Sequence, residues 1–121
     1  MKLAGELFTI LDHSSHPQGA VFTLELNPGH ITYAGHFPGH PVTPAAVQIQ
    51  MVQELLEEHL GKKTRLWAIA QGKFLKILNP LEFPQIEVSL RIEAVEEDLN
   101  VEAQGTHRDF VFFKLNVAYK L

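Results

Sequence analysis

One stretch of this chain concentrates residues able to do chemistry: Gly35-His36-Phe37-Pro38-Gly39-His40-Pro41-Val42-Thr43-Pro44. A neutral imidazole accepts a proton near physiological pH, and the unpaired amide hydrogens at a helix start stabilise negative charge growing on a carbonyl oxygen. Side by side they suit removal of a proton next to a carbonyl, with His36 or His40 taking the proton and the helix start holding the enolate. A thioester is the natural substrate for such a step, because its α-hydrogen is more acidic than that of an ordinary ester.

Three histidines in this region, His30, His36 and His40, raise the question of a metal. Their scatter over a Gly/Pro loop lacks the spacing that aligns ligands, and no carboxylate joins them, so no metal site is expected. With no Cys in the chain, a thiolate nucleophile and disulfides are excluded. Ser14, Ser15 and Ser89 lie in no Gly-x-Ser-x-Gly elbow, which argues against a serine hydrolase.

The elements that must position these groups follow from hydrophobic periodicity. Thr43-Pro44 is expected to start a helix, the Thr hydroxyl capping its amides and Pro occupying the first helical position. Gly61 is expected to end it. Between them Val47, Met51 and Leu55 form one apolar stripe, with Ile49, Val52, Leu56 and Leu60 beside it, so the helix wants to be wrapped. Before it, residues 5–12 and 20–26 read as a strand pair joined by a turn over HSSHPQG. After it, strands are expected over 64–78, 85–95, 100–107 and 110–121, with turns at Asn79-Pro80, Asp98–Asn100 and Arg108-Asp109. Two strands, one long helix and four strands make an α+β fold in which a curved antiparallel sheet wraps the central helix.

The motif Gly35-His36-Phe37-Pro38-Gly39-x-Pro41-Val42-x-Pro44 resembles the active-site segment of β-hydroxyacyl-(acyl carrier protein) dehydratases. Lys73-Phe74 and the Pro80 turn also fall where that family would have them, so the resemblance covers most of residues 20–120. It implies a hot-dog fold, a homodimer or trimer of dimers, and elimination of water from 3-hydroxyacyl thioesters carried by acyl carrier protein in fatty-acid or related lipid synthesis. His36 matches the family's catalytic base. The Ala45 amide stands where the family receives the thioester carbonyl, with Phe37, Gly39 and Pro44 beside it at the substrate. No cofactor is implied.

Gln50 departs from the family: it matches the catalytic carboxylate on the central helix. An amide cannot donate a proton as an acid, and losing a general acid costs about 10²- to 10⁴-fold in rate. Gln50 can still orient the 3-hydroxyl or a water. Glu54, one helical turn on, or His40 would be the replacement donor. Gln50 also suits a hot-dog acyl thioesterase, or a non-catalytic partner subunit that binds acyl carrier protein without turnover.

Composition bounds the rest. The chain has 121 residues, 45% of them hydrophobic and 20% charged, the size and balance of one globular domain over residues 1–121. Ten Lys plus Arg against fourteen Asp plus Glu give a net charge of -4, which argues against nucleic acid. Lys62, Lys63, Arg65, Lys73 and Lys76 nonetheless offer a local basic patch for an acidic carrier protein, while Glu54, Glu57 and Glu58 read as the solvated end of the helix. No apolar run reaches membrane-spanning length, and the N-terminus lacks an export signal, so a cytoplasmic protein without a membrane partner is expected. A sheet curled over one helix would leave an edge for a two-fold partner to cover.

Overall fold

The computed structural model describes residues 2–34 and 39–121. Six strands form one antiparallel sheet: β1 (Phe8–His16), β2 (Gly19–Leu26), β3 (Arg65–Phe74), β4 (Gln85–Val95), β5 (Asp98–His107) and β6 (Phe110–Lys120). They lie in the order β1-β2-β4-β5-β6-β3, so β1 and β3 are the edges. A one-turn 3₁₀ helix (Ile31–Tyr33) follows β2, and a single α-helix, α1 (Ala45–Leu60), precedes β3. This is the expected architecture, an antiparallel sheet packed on one long helix.

Period-two patterning gives the sheet one apolar face. Phe22 and Leu24 of β2, Ile86, Val88 and Leu90 of β4, Val101 and Ala103 of β5, and Phe113, Leu115, Val117 and Tyr119 of β6 are all buried. They join Met51, Val52, Leu55 and Leu56 of α1 in one core cluster. At 1.5 Å per residue, the 16-residue helix is roughly 24 Å long, about the span of a seven-residue strand, so the sheet covers it end to end. The N-terminal segment closes the open side: Leu3 and Leu7 are fully buried, and the Leu3 carbonyl accepts from the amides of Glu6 and Leu7.

Several boundaries differ from expectation. The first strand continues through His13, Ser14, Ser15 and His16, which pair with Phe22, Val21, Ala20 and Gly19, so the turn shrinks to Pro17-Gln18. The β4–β5 turn falls at Glu96-Glu97, with Glu96 at φ 57°, while Asp98 and Asn100 are already in β5. Pro44 is the N-cap and Ala45 the first helical residue, and no side chain among the described residues caps the helix. Thr43 is diverted from capping because its hydroxyl pairs with Tyr33 Oη at 2.8 Å. Gly61 ends the helix as expected, in the left-handed region at φ 70° that suits glycine, its amide donating to the Glu57 carbonyl.

The two sheet edges are finished differently. Register shifts interrupt both edges, between Ile10 and Asp12 in β1 and at Leu66/Ala68 and Ile69/Gln71 in β3, but only β1 carries a polar run, from Asp12 to His16, that discourages further pairing. All ten residues of β3 are exposed, and they include Leu66, Trp67, Ile69 and Phe74. Lys120 lies over the Trp67 ring, 4.5 Å from its centre, and pairs with Asp98 at 2.9 Å.

Candidate active site

At the start of α1 the backbone leaves amides to spare. Val47 and Gln48 donate to the Pro44 carbonyl, whereas the amides of Ala45 and Ala46 have no partner among the described residues. Pro44 lacks a capping side chain and the Thr43 hydroxyl is taken by Tyr33, so this helix start is open to a ligand's oxygen. It faces a groove of about 300 Å³ lined by Val42, Thr43, Pro44, Ala45, Gln48 and the stretch from Phe74 to Leu78. Apolar side chains dominate that wall, and the Leu78 carbonyl holds it to the helix start by accepting from the Thr43 amide at 2.9 Å.

Beneath the groove runs a buried polar chain. Tyr33 meets Thr43, and the Thr43 carbonyl accepts from Gln48 Nε2 at 2.9 Å. Burial raises the Tyr33 phenol above its ordinary value and outweighs the opposing hydrogen bond to Thr43, so the ring stays protonated. Gln48 is 4% exposed, and its Oε1 has no hydrogen-bond partner among the described residues. Neither Gln48 nor Tyr33 is among the site residues expected from the sequence. A visible sign existed for the first: Gln48 stands on the stripe continued by Val52, Leu55 and Leu56, where an apolar residue is the norm.

Gln50 and Glu54 line a second groove, of about 610 Å³, with Lys2, Ala4, Phe8, Lys62 and Lys63 among its walls. Glu54 is heavily engaged there. Both carboxylate oxygens accept from the Leu3 amide at 2.8 Å, Oε1 also accepts from the Ala4 amide, and Oε2 accepts from Gln50 Nε2 at 3.0 Å. Glu54 thereby clamps the N-terminal segment onto the helix and orients the Gln50 amide. Glu57 is likewise not a solvated helix end, since its carboxylate accepts from the amide and hydroxyl of Thr64, while Glu58 is exposed.

Of the remaining expected site residues, Gly39 and His40 are exposed, as is Pro44 beside the groove. His36 and Phe37 lie outside the described residues. Lys62, Lys63, Arg65 and Lys73 are exposed, while Lys76 packs its ammonium over Phe110 at 4.6 Å.

A family model for ApeI dehydratases matches residues 12–111. The chain belongs to the ApeI-like dehydratase family. This ApeI-like chain is 31% identical over 96 residues to the 3-hydroxyacyl-[acyl-carrier-protein] dehydratase FabZ of Levilactobacillus brevis, covering 64% of this chain and 62% of that one. With FabZ of Lactiplantibacillus plantarum it shares 28% identity over 87 residues, 66% of this chain and 59% of that one. The matches thus span less than two thirds of those curated relatives.

Among solved structures, the dehydratase heterocomplex ApeI:P from Xenorhabdus doucetiae superposes with a TM-score of 0.74 at 19% identity, over 93% of this chain and 97% of that one. A hexameric thioesterase from Yersinia pestis gives a TM-score of 0.51 at 9% identity, over 98% of this chain and 89% of that one. These likenesses establish the hot-dog fold.

Proposed function

We propose that the ApeI-like chain is a dehydratase of 3-hydroxyacyl thioesters presented on acyl carrier protein. The observation that carries this reading is the uncapped start of α1, whose Ala45 and Ala46 amides face an apolar-walled groove in a chain of a dehydratase family. The substrate carbonyl accepts from the Ala45 amide, as an oxyanion receptor requires. His36, by its place in the motif, takes the α-proton. The acyl chain lies along the wall from Phe74 to Leu78.

Gln50 stands where the family has its carboxylate, and Glu54 fixes its amide by accepting from Nε2. Across the proposed two-fold pairing, Gln50 of one copy orients the hydroxyl departing from the substrate held at Ala45 of the other without supplying a proton, so elimination is slow beside that of a carboxylate-bearing relative, by about 10²-fold or more. The same arrangement also favours a second reading, a thioesterase in which Gln50 steers a water onto the polarised carbonyl. Exposed apolar residues on the edge strand β3 support pairing with a second copy there. The exposed Lys62, Lys63 and Arg65 suit docking of an acidic carrier protein.

The test is to incubate the purified protein with 3-hydroxyacyl and trans-2-enoyl carrier-protein thioesters, alongside His36→Ala, and to weigh the products. Loss or gain of one water, abolished in the variant, supports the dehydratase. Free acid supports the thioesterase. Binding of both thioesters with neither product identifies a non-catalytic subunit.

A further inference from the structure

Two imidazoles carried by different elements meet at the surface, at the far end of α1 from the helix start. His13 of β1 and His59 in the last turn of α1 bring Nε2 and Nδ1 to 3.0 Å of each other, although 46 residues separate them in the chain. Neither ring is loose. His13 lies opposite Phe22 in the β1–β2 register and stacks on that buried ring, with the centres 4.2 Å apart and the planes at 17°. His59 is carried by the helix, which Gly61 ends two residues later. His13 is exposed and His59 half-buried, so a solute reaches the pair from solvent.

The spacing suits two ligands of one cation. A hydrogen bond between neutral imidazoles uses one proton, donated by one nitrogen to the lone pair of the other. If the donating ring shifts that proton to its second nitrogen, both lone pairs are free for a metal. Two imidazoles bound at about 2.1 Å to a tetrahedral cation hold their ring centres about 5.3 Å apart and their ligating nitrogens about 3.4 Å apart. Here the ring centres are already 5.2 Å apart. Small turns of the rings therefore convert the pair without moving α1 or β1. The negative end of the helix dipole favours a cation at this place. Imidazole nitrogens select first-row transition metals over Mg²⁺, which takes oxygen ligands.

We propose that His13 and His59 form a binding site for one divalent transition metal of the Zn²⁺ or Ni²⁺ kind, with water completing the coordination. The bound metal ties the C-terminal end of α1 to the edge strand β1 and stabilises the folded chain. The experiment titrates the full chain, untagged and stripped of metal, with ZnCl₂, NiCl₂ and MgCl₂ by calorimetry, beside thermal melts, and repeats both on His13→Gln and His59→Gln. Wild type is expected to bind one Zn²⁺ or Ni²⁺ per chain and no Mg²⁺. At free metal ten times Kd, Tm should rise by about 5 °C for 121 residues. Either substitution should weaken binding at least tenfold and remove that rise. Undiminished binding in both variants would put the metal on other side chains and overturn the proposal. A wild type with no saturable site of one metal per chain overturns it without any variant, so a poorly folding His59→Gln does not rescue it.

Discussion

Replacing Glu54 by Gln separates a clamp from a catalyst. In the native protein the carboxylate takes three donors, the amides of Leu3 and Ala4 at 2.8 Å and Gln50 Nε2 at 3.0 Å. Hydrogen bonds to a charged group contribute about 1.5–3 kcal/mol each, though not additively. A Gln keeps one acceptor oxygen but turns an NH₂ towards donors, so one backbone bond survives and the others are lost or inverted. Leu3 and Leu7 remain buried and still hold the segment, which limits the damage to about 2–3 kcal/mol. With an unfolding entropy of about 2.1 cal/mol/K per residue over 121 residues, that lowers Tm by about 8–12 °C.

The assay is a thermal melt of Glu54→Gln beside turnover, or ligand binding, measured well below the melting range. A clamp predicts the drop in Tm, faster hydrogen exchange over residues 2–7, and activity within several-fold of wild type. Glu54 as the general acid predicts the reverse, an activity loss of about 10²-fold or more with little change in Tm. An unchanged Tm together with that loss would refute the clamp.

Gln50→Glu brings a carboxylate to within about 3 Å of the Glu54 carboxylate, and two such groups cannot both ionise there. The retained proton makes an acid, so dehydration of a 3-hydroxyacyl thioester is expected to rise at least tenfold, measured as enoyl product by absorbance. His59 meets His13 ring to ring at 3.0 Å, and its pKa is lowered by partial burial first and then by the charges of His13 and His16. The unfolded chain therefore binds this proton more readily, so stability should hold above about pH 6.5 and decline as pH falls from there towards the native value. Melts between pH 7.5 and 5 should show that slope, and His59→Gln should flatten it. Ile69→Lys puts a charge on the exposed edge strand β3 and is expected to convert the proposed dimer to a monomer in light scattering, with activity lost alongside.

What the sequence makes legible, and what it does not, divides by range of interaction. Ile86, Val88 and Leu90 alternate with Glu87, Ser89 and Arg91, and that local signal delimits β4 at Gln85–Val95. The helix is equally plain from its stripes and from Gly61. The polar run from His13 to His16 looks like a turn and becomes strand because β2, whose Ala20, Phe22, Leu24 and Leu26 are buried, supplies a ladder for it to pair with. The role of Glu54 depends on amides 50 and 51 residues away, which no periodicity reports. Thr43 looks like a cap until Tyr33, ten residues earlier, claims its hydroxyl. In each miss a tertiary partner overrides a correct local preference.

That diverted cap has a consequence at the site. An N-cap at φ −62° and ψ 152° is the conformation in which Ser, Asp or Asn would bond the first-turn amides, yet Pro44 offers them nothing. The start of α1 forgoes about 0.5–2 kcal/mol of capping and leaves the Ala45 and Ala46 amides to a ligand. Pro44→Asp should recover part of that stability, offset by about 0.4–1 kcal/mol because a less rigid residue gains freedom in the unfolded chain. Its carboxylate would bond the Ala46 amide and set a negative charge beside the position where the enolate develops. Tm is therefore expected to shift by between about −2 and +6 °C while kcat/KM falls at least tenfold. A variant with higher stability and undiminished kcat/KM would mean that the helix start takes no part in the chemistry.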